Sequence, residues 1–224
     1  MIEIIPAILP KTYEELEEKI SQVVGQVTFV QIDVTDGIFT TTSTWPYING
    51  VDAEFQKIIS EDIGLPFWED MEFEVHLMVK DPEKIIHDWI RAGAQRIIIH
   101  RESFQDEKNL KDFISDVRKI YGNKDSVVPL EIGLALNIET NIDQIKSSIN
   151  EVDLVQFMGI DHDGVQGAPF NEKVLEKVAN FKKEFPEVIV SVDGGINLEN
   201  AEKLIFYGVD RLIVGSAIFE SDNI

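Results

Sequence analysis

The sequence predicts a (β/α)8 barrel, one domain running over residues 1–224, on three observations. Eight short β-rich apolar runs recur along the chain, and each is followed by a loop or by a longer segment with apolar residues three or four apart. Runs such as Ile97-Ile98-Ile99 and Val188-Ile189-Val190 are apolar without alternation, as a parallel sheet covered on both faces requires. An open doubly wound sheet is the rival, but it rarely needs eight evenly spaced units.

In chain order the predicted strands are Ile2–Leu9, Val27–Asp33, Phe73–Val79, Arg96–His100, Glu131–Leu136, Leu154–Met158, Val188–Val192 and Arg211–Val214. Between them the helical spacing predicts Tyr13–Val24, Val51–Ser60, Pro82–Ala92, Glu107–Tyr121, Ile142–Ile149, Asn171–Glu184 and Leu198–Tyr207. Thr12 ahead of Tyr13-Glu14-Glu15 is a start signal, and so is Asp81-Pro82-Glu83, where Asp can cap and Pro suits the first turn. Gly93 and Gly208 stand where helices should stop, because glycine enters the left-handed region without a side-chain clash.

Composition narrows the partners. The chain has 224 residues, 44% of them apolar, and 20 basic against 41 acidic side chains for a net charge of −21. Nucleic-acid affinity comes mainly from cationic side chains that neutralise phosphates, so no nucleic-acid partner is expected, and an acidic membrane is disfavoured in the same way. Without cysteine there is no disulfide framework, thiolate zinc site or cysteine nucleophile. No apolar run approaches the roughly 18 residues of a membrane span, and a cytoplasmic protein is expected.

In such a barrel the carboxyl ends of the strands face the active-site mouth. The polar side chains predicted there are Gln31 and Asp33, His76, His100, Asn137 and Asp193, with Met158 beside them. Gln31 and Asp33 are two residues apart and therefore share a strand face. Asp33, His76 and Asp193 together make an oxygen and nitrogen set suited to one divalent cation. Asp36 reads as a capping or loop carboxylate. Gly194-Gly195 leads from a buried strand into a helix, and Gly215-Ser216 ends the eighth strand. Glycine loops after the seventh and eighth strands form the usual phosphate site of these barrels, through backbone N–H groups, which reconciles an anionic ligand with an acidic chain. A third loop, Gly164-Val165-Gln166-Gly167, is placed to close over the same phosphate. The irregular stretch Ile38–Asn49 reads either as a lid or binding loop or as a variable surface loop. Asp161-His162-Asp163 reads either as a solvated loop tip or as an added acid/base or ligand.

These motifs, in this order, resemble the ribulose-phosphate 3-epimerase family. The resemblance is carried by Pro6-Ala7-Ile8-Leu9, Ile32-Asp33-Val34-Thr35-Asp36-Gly37, Val75-His76-Leu77-Met78-Val79, Ala92-Gly93-Ala94, Gly133-Leu134-Ala135-Leu136-Asn137, Val192-Asp193-Gly194-Gly195-Ile196-Asn197 and Val214-Gly215-Ser216-Ala217-Ile218-Phe219. It implies a metal-dependent epimerase acting at C3 of a ketose phosphate, with one bound divalent cation (zinc, manganese, iron or cobalt). It also implies that Asp33 and Asp193 are metal ligands and the two acid/base groups, that His76 is a ligand, and that Met78 and Met158 line the substrate cavity. Gly164, Gly167, Gly194, Gly195, Gly215 and Ser216 then hold the phosphate. The family's first metal ligand is a histidine where this chain has Gln31, whose carbonyl is a poorer zinc ligand than imidazole. Ala7 and Thr35 replace a family serine and methionine, and the loops after the second and sixth strands differ.

The expected partner is a small phosphosugar, in the simplest case D-ribulose 5-phosphate, and the expected assembly is a homo-oligomer. Two alternatives stand beside this. One is an epimerase, isomerase or lyase of another phosphosugar such as a hexulose 6-phosphate; the other is a phosphosugar-binding barrel without catalysis.

Overall fold

The computed structural model describes residues 2–122, 130–165 and 167–221. Eight parallel strands close into a barrel in sequence order: β1 (Glu3–Ile8), β2 (Phe29–Thr35), β3 (Glu72–Met78), β4 (Arg96–His100), β5 (Glu131–Leu136), β6 (Leu154–Met158), β7 (Ile189–Asp193) and β8 (Arg211–Val214), with β8 pairing back onto β1. The helices are α1 (Tyr13–Val23), α2 (Ala53–Ile59), α3 (Ile86–Arg91), α4 (Glu107–Tyr121), α5 (Lys173–Glu184), α6 (Leu198–Phe206) and the short α7 (Ser216–Phe219). Among the described residues no helix is long and apolar enough to cross a membrane.

Strand periodicity divides the buried residues into two populations. Ile32 and Val34, Val75 and Leu77, Ile97 and Ile99, Leu134 and Leu136, and Val190 and Val192 point outward and pack with the helical Leu16, Ile20, Leu110, Ile114, Val178, Phe181 and Leu204 in one continuous core. The intervening residues line the barrel. There Ile5, Ala7 and Ile213 form one small apolar cluster, and Ile98, Ala135 and Leu154 another. The rest of the lining is polar. Towards the amino ends of the strands the fully buried Glu74 accepts a hydrogen bond from Arg96 Nη1 at 2.8 Å and another from Arg211 Nη2. Arg96 also reaches Glu131, and Arg211 reaches Ser191 and Glu3.

Several predicted elements change form. The second strand runs two residues beyond Asp33 to Thr35, and the seventh includes Asp193. The helix predicted over Pro82–Ala92 divides into a 3-10 turn at Pro82–Lys84 and α3. Asp81 gives no side-chain cap there; its carboxylate is taken by Lys84 Nζ at 2.6 Å. The segment predicted over Ile142–Ile149 is a 3-10 helix spanning Ile142–Glu151. Short connectors of this kind tolerate the tighter winding. Thr12 caps α1 by accepting from Glu15 N, and Gly93 and Gly208 have φ of +105° and +100° at the predicted helix stops.

The stretch Ile38–Asn49 is not merely surface. Trp45 is 2% exposed and packs edge-on against Phe55 and Trp89, at 5.5 and 6.0 Å between ring centres. This anchors the loop, and its Thr40–Thr42 part lies against the loop after β6, where Thr42 Oγ1 donates to Gly164 O at 3.1 Å. Asp36 is structural, as expected: its oxygens accept from the backbone N–H groups of Ile38, Phe39 and Lys80.

Candidate active site

The barrel's register sets the site. β2 pairs with β3 so that Asp33 lies beside His76, and β6 pairs with β7 so that Met158 lies beside Asp193. Closure through β1 and β8 then brings β2 and β7 to within three strand places of each other. A pocket at the carboxyl ends is lined by Ala7, Asp33, Met78, Met158 and Asp193 together with Gly164, Gly167, Gly194, Gly195, Gly215 and Ser216. Gln166, part of the predicted third glycine loop, lies outside the described residues.

Beneath the pocket the polar groups converge. His76 Nδ1 is 3.2 Å from both Asp33 Oδ1 and Asp193 Oδ2. Gln31 Nε2 donates to Asp33 Oδ1 at 2.8 Å and to Asp193 Oδ2 at 2.7 Å, joining two carboxylates 160 positions apart in sequence. Gln156, on β6, donates to the same Asp193 Oδ2 at 3.0 Å. Gln31, His76 and Gln156 are fully buried. Burial, and then the charge of Asp193, raise the Asp33 carboxyl to about 6. Burial works against a charged His76 ring, but the hydrogen bonds to Asp193 and Asp33 and their charges prevail and lift it to about 10. Two carboxylates so close repel when both are ionised, and a nearby positive charge relieves this.

The donor set fits a divalent cation. One ligand atom each from Asp33, His76 and Asp193 lies within 4.8 Å of the others, and imidazole with two carboxylates is a common first-row metal set. Moreover, the buried Oε1 of Gln31 has no hydrogen-bond partner among the described residues. Rotating that amide would turn a carbonyl oxygen towards the point where the carboxylates and His76 Nδ1 meet.

Behind His76 the network continues. His76 Nε2 is 2.7 Å from His100 Nε2, and His100 Nδ1 is 3.2 Å from Glu102 Oε2. Glu102 Oε1 accepts from Asn137 N at 2.9 Å and from Thr140 Oγ1. Glu102 and Asn137 border an adjoining cavity with Asp161, His162 and Asp163. Of that trio Asp161 and His162 are exposed, whereas Asp163 faces the network: burial raises its carboxyl, and the charges of His100 and His76 act to lower it.

Sequence reasoning missed Gln156 and Glu102. A signal for Gln156 was there: it interrupts the apolar Leu154-Val155-Phe157 run and shares a strand face with Met158. Glu102 offered none, because its partner at the site is a histidine that it holds from behind.

Solved structures of the same architecture define the class, a (β/α)8-barrel protein. The chain superposes on 3-hexulose-6-phosphate synthase from Salmonella typhimurium with a TM-score of 0.66 at 16% identity, covering 99% of this chain and 92% of that one, a likeness of fold alone. The family is more particular. The model of the ribulose-phosphate 3-epimerase family matches residues 3–219, and the chain belongs to that family. It is 31% identical over 219 residues to the chloroplastic ribulose-5-phosphate-3-epimerase of Arabidopsis thaliana, covering 96% of this chain and 70% of that protein. It is 27% identical over 230 residues to ribulose-phosphate 3-epimerase of Bacillus subtilis (strain 168), covering 100% and 95%. The chain is accordingly an isomerase of the epimerase type.

Proposed function

We propose that this enzyme interconverts D-ribulose 5-phosphate and D-xylulose 5-phosphate by moving a proton at C3, with Asp33 and Asp193 as the two acid/base groups. The observation that carries this reading is the pair itself: two carboxylates from β2 and β7, tied to one amide and one imidazole at the floor of a single pocket. Burial and the charge of Asp193 make Asp33 a stronger base than an ordinary carboxylate, which suits a group that takes up and gives back a proton.

In this reading Gly194, Gly195, Gly215 and Ser216 bind the phosphate, with Gly164 and Gly167 closing over it. The buried side chains of Met78 and Met158 exclude water around C3. One carboxylate takes the C3 proton, the electrons of that C–H bond pass into an enediolate, and the other carboxylate delivers a proton to C3 from the far side. Asp33, His76 and Asp193 would hold a divalent cation, with the Gln31 carbonyl as a fourth donor; zinc, manganese, iron and cobalt all suit such a set. When bound, that cation supplies positive charge beside the developing enediolate oxygens. We also read the enzyme as cytoplasmic and homo-oligomeric; the exposed apolar Leu198 and Phe206 on α6 support the assembly.

The test is to purify the protein without chelator, measure its metal content, and follow exchange of the C3 proton of ribulose 5-phosphate in deuterated water by NMR. Exchange with about one metal per chain, abolished in Asp33→Asn and in Asp193→Asn with the fold intact, is expected. Wild-type exchange in either variant would overturn the two-carboxylate mechanism, and bound metal without exchange would overturn the assigned substrate.

A further inference from the structure

We propose that Glu102 is a positioning residue: through His100 it fixes the tautomer of His76, so that the Nδ1 lone pair of His76 faces Asp33 and Asp193. The inference rests on the reading of Asp33, His76 and Asp193 as a metal site, and it assigns a role to a side chain outside that site.

The argument is one of donors and acceptors along a chain of four groups. The backbone N–H of Asn137 can only donate, and it does so to Glu102 Oε1 at 2.9 Å, with the Thr140 hydroxyl on the same oxygen. Glu102 Oε2 faces His100 Nδ1 at 3.2 Å. Burial would raise this carboxyl, but the hydrogen bond and charge of His100, and then the hydrogen bonds from Thr140 and Asn137, bring it down to about 2, so it is an ionised acceptor. His100 Nδ1 therefore carries a hydrogen. In a neutral ring the other nitrogen is then an acceptor, and His100 Nε2 lies 2.7 Å from His76 Nε2.

The ring geometry fits this bond. The two imidazole planes are 13° apart and their centres 4.8 Å, which with nitrogens at 2.7 Å means coplanar rings joined edge to edge rather than face to face. Only one hydrogen fits between the two Nε2 atoms, and with His100 accepting, it belongs to His76. Once neutral, as a metal-ligating imidazole must be, the His76 ring has its lone pair on Nδ1, aimed where both carboxylates converge. The amide Nε2 atoms of Gln31 and Gln156 stand 3.5 and 3.4 Å from that same Nδ1, donors flanking an acceptor. A metal-ligating histidine commonly has its other nitrogen held in this way, and loss of such a partner typically costs about 10–100-fold in metal affinity. Here the partner is a second histidine, and the group that sets the direction is one residue further out.

The proposal makes a sharp demand of Glu102→Gln. Asn137 N–H requires an acceptor, so the new carbonyl oxygen must take the Oε1 position, and the new NH2 must face His100 Nδ1. The hydrogen bonds between position 102 and His100 and between His100 and His76 then reverse, and Nδ1 of a neutral His76 becomes a donor. The experiment compares wild type, Glu102→Gln and Thr140→Val by zinc titration calorimetry and by long-range 1H–15N NMR of the imidazoles in zinc-saturated protein, with circular dichroism to confirm folding. Substrate is absent throughout, so failure here and failure of the proposed substrate are read separately.

In wild type and in Thr140→Val, which keeps the carboxylate, the hydrogen of His100 is expected on Nδ1 and that of His76 on Nε2. In Glu102→Gln zinc affinity is expected to fall by about 10–100-fold with loss of the His100 Nδ1–H signal. A folded Glu102→Gln protein with wild-type zinc affinity, or a wild-type His100 carrying its hydrogen on Nε2, would overturn the proposal. Should Glu102→Gln fail to fold, the NMR assignment in wild type and Thr140→Val still decides it.

Discussion

Gln156 Nε2 donates to Asp193 Oδ2 at 3.0 Å from the neighbouring strand, while the Oε1 of the same amide is buried without a partner among the described residues. The side chain thus gives one hydrogen bond to a carboxylate and leaves one acceptor unpaired, an arrangement that favours orientation of Asp193 over stability.

Replacing Gln156 by leucine separates these two effects. A hydrogen bond to a charged group contributes about 1.5–3 kcal/mol, and an orphaned buried acceptor costs about 1–3 kcal/mol, so the two nearly cancel in the fold. Thermal unfolding of Gln156→Leu is expected to stay within about 1 kcal/mol of wild type. Turnover is expected to fall about 10-fold or more, with KM little changed, because Asp193 loses a donor that aims it. Steady-state kinetics on ribulose 5-phosphate check this.

The floor of the barrel makes the opposite prediction. Glu74 is fully buried between Arg96 and Arg211, and removing one partner of a buried charge set leaves the others uncompensated. Glu74→Gln is expected to destabilise the protein by about 3–5 kcal/mol, measured by urea unfolding, with turnover per folded molecule retained.

Glu102 also has a stability signature in acid. Its folded-state carboxyl lies at about 2 against an ordinary value of 4.5. The stability it contributes is therefore fully present above about pH 4.5 and is lost as pH falls towards about 2. Its size is at most about 3 kcal/mol. The difference in unfolding free energy between wild type and Glu102→Gln should narrow steadily between pH 5 and pH 2.5; a constant difference would contradict the depressed value.

At the predicted phosphate loop, Gly195 has φ of +68°, and a Cβ there would sit 2.6 Å from Phe170 Cα and 2.7 Å from its nitrogen. Neither atom can give way without moving backbone. Gly195→Ala is expected to cost about 2 kcal/mol or more and to raise KM for the phosphosugar more than it lowers kcat. A melt and a substrate titration test both halves.

Much of this was legible in the sequence. Strand count, order and the positions of Asp33, His76 and Asp193 at strand ends follow from local periodicity, because alternate residues on a strand must face opposite sides. The errors were also local in origin. Pro82–Ala92 and Ile142–Ile149 have helical spacing, but such short connectors close tighter 3-10 turns that spacing cannot distinguish. Whether Ile38–Asn49 was buried or surface could not be read, since that depended on Trp45 finding Phe55 and Trp89.

By itself, then, the sequence determined the barrel, the family and the set of groups gathered at its mouth. Tertiary structure alone decided how those groups are joined: one Gln31 amide on both carboxylates, Gln156 on Asp193, and Glu102 reaching His76 through His100. The physical reason is that a strand's periodicity reports only which face a side chain takes, a property of a few neighbouring residues. A hydrogen bond requires two atoms within about 3 Å in the right orientation, and between strands distant in sequence only closure of the barrel sets that distance.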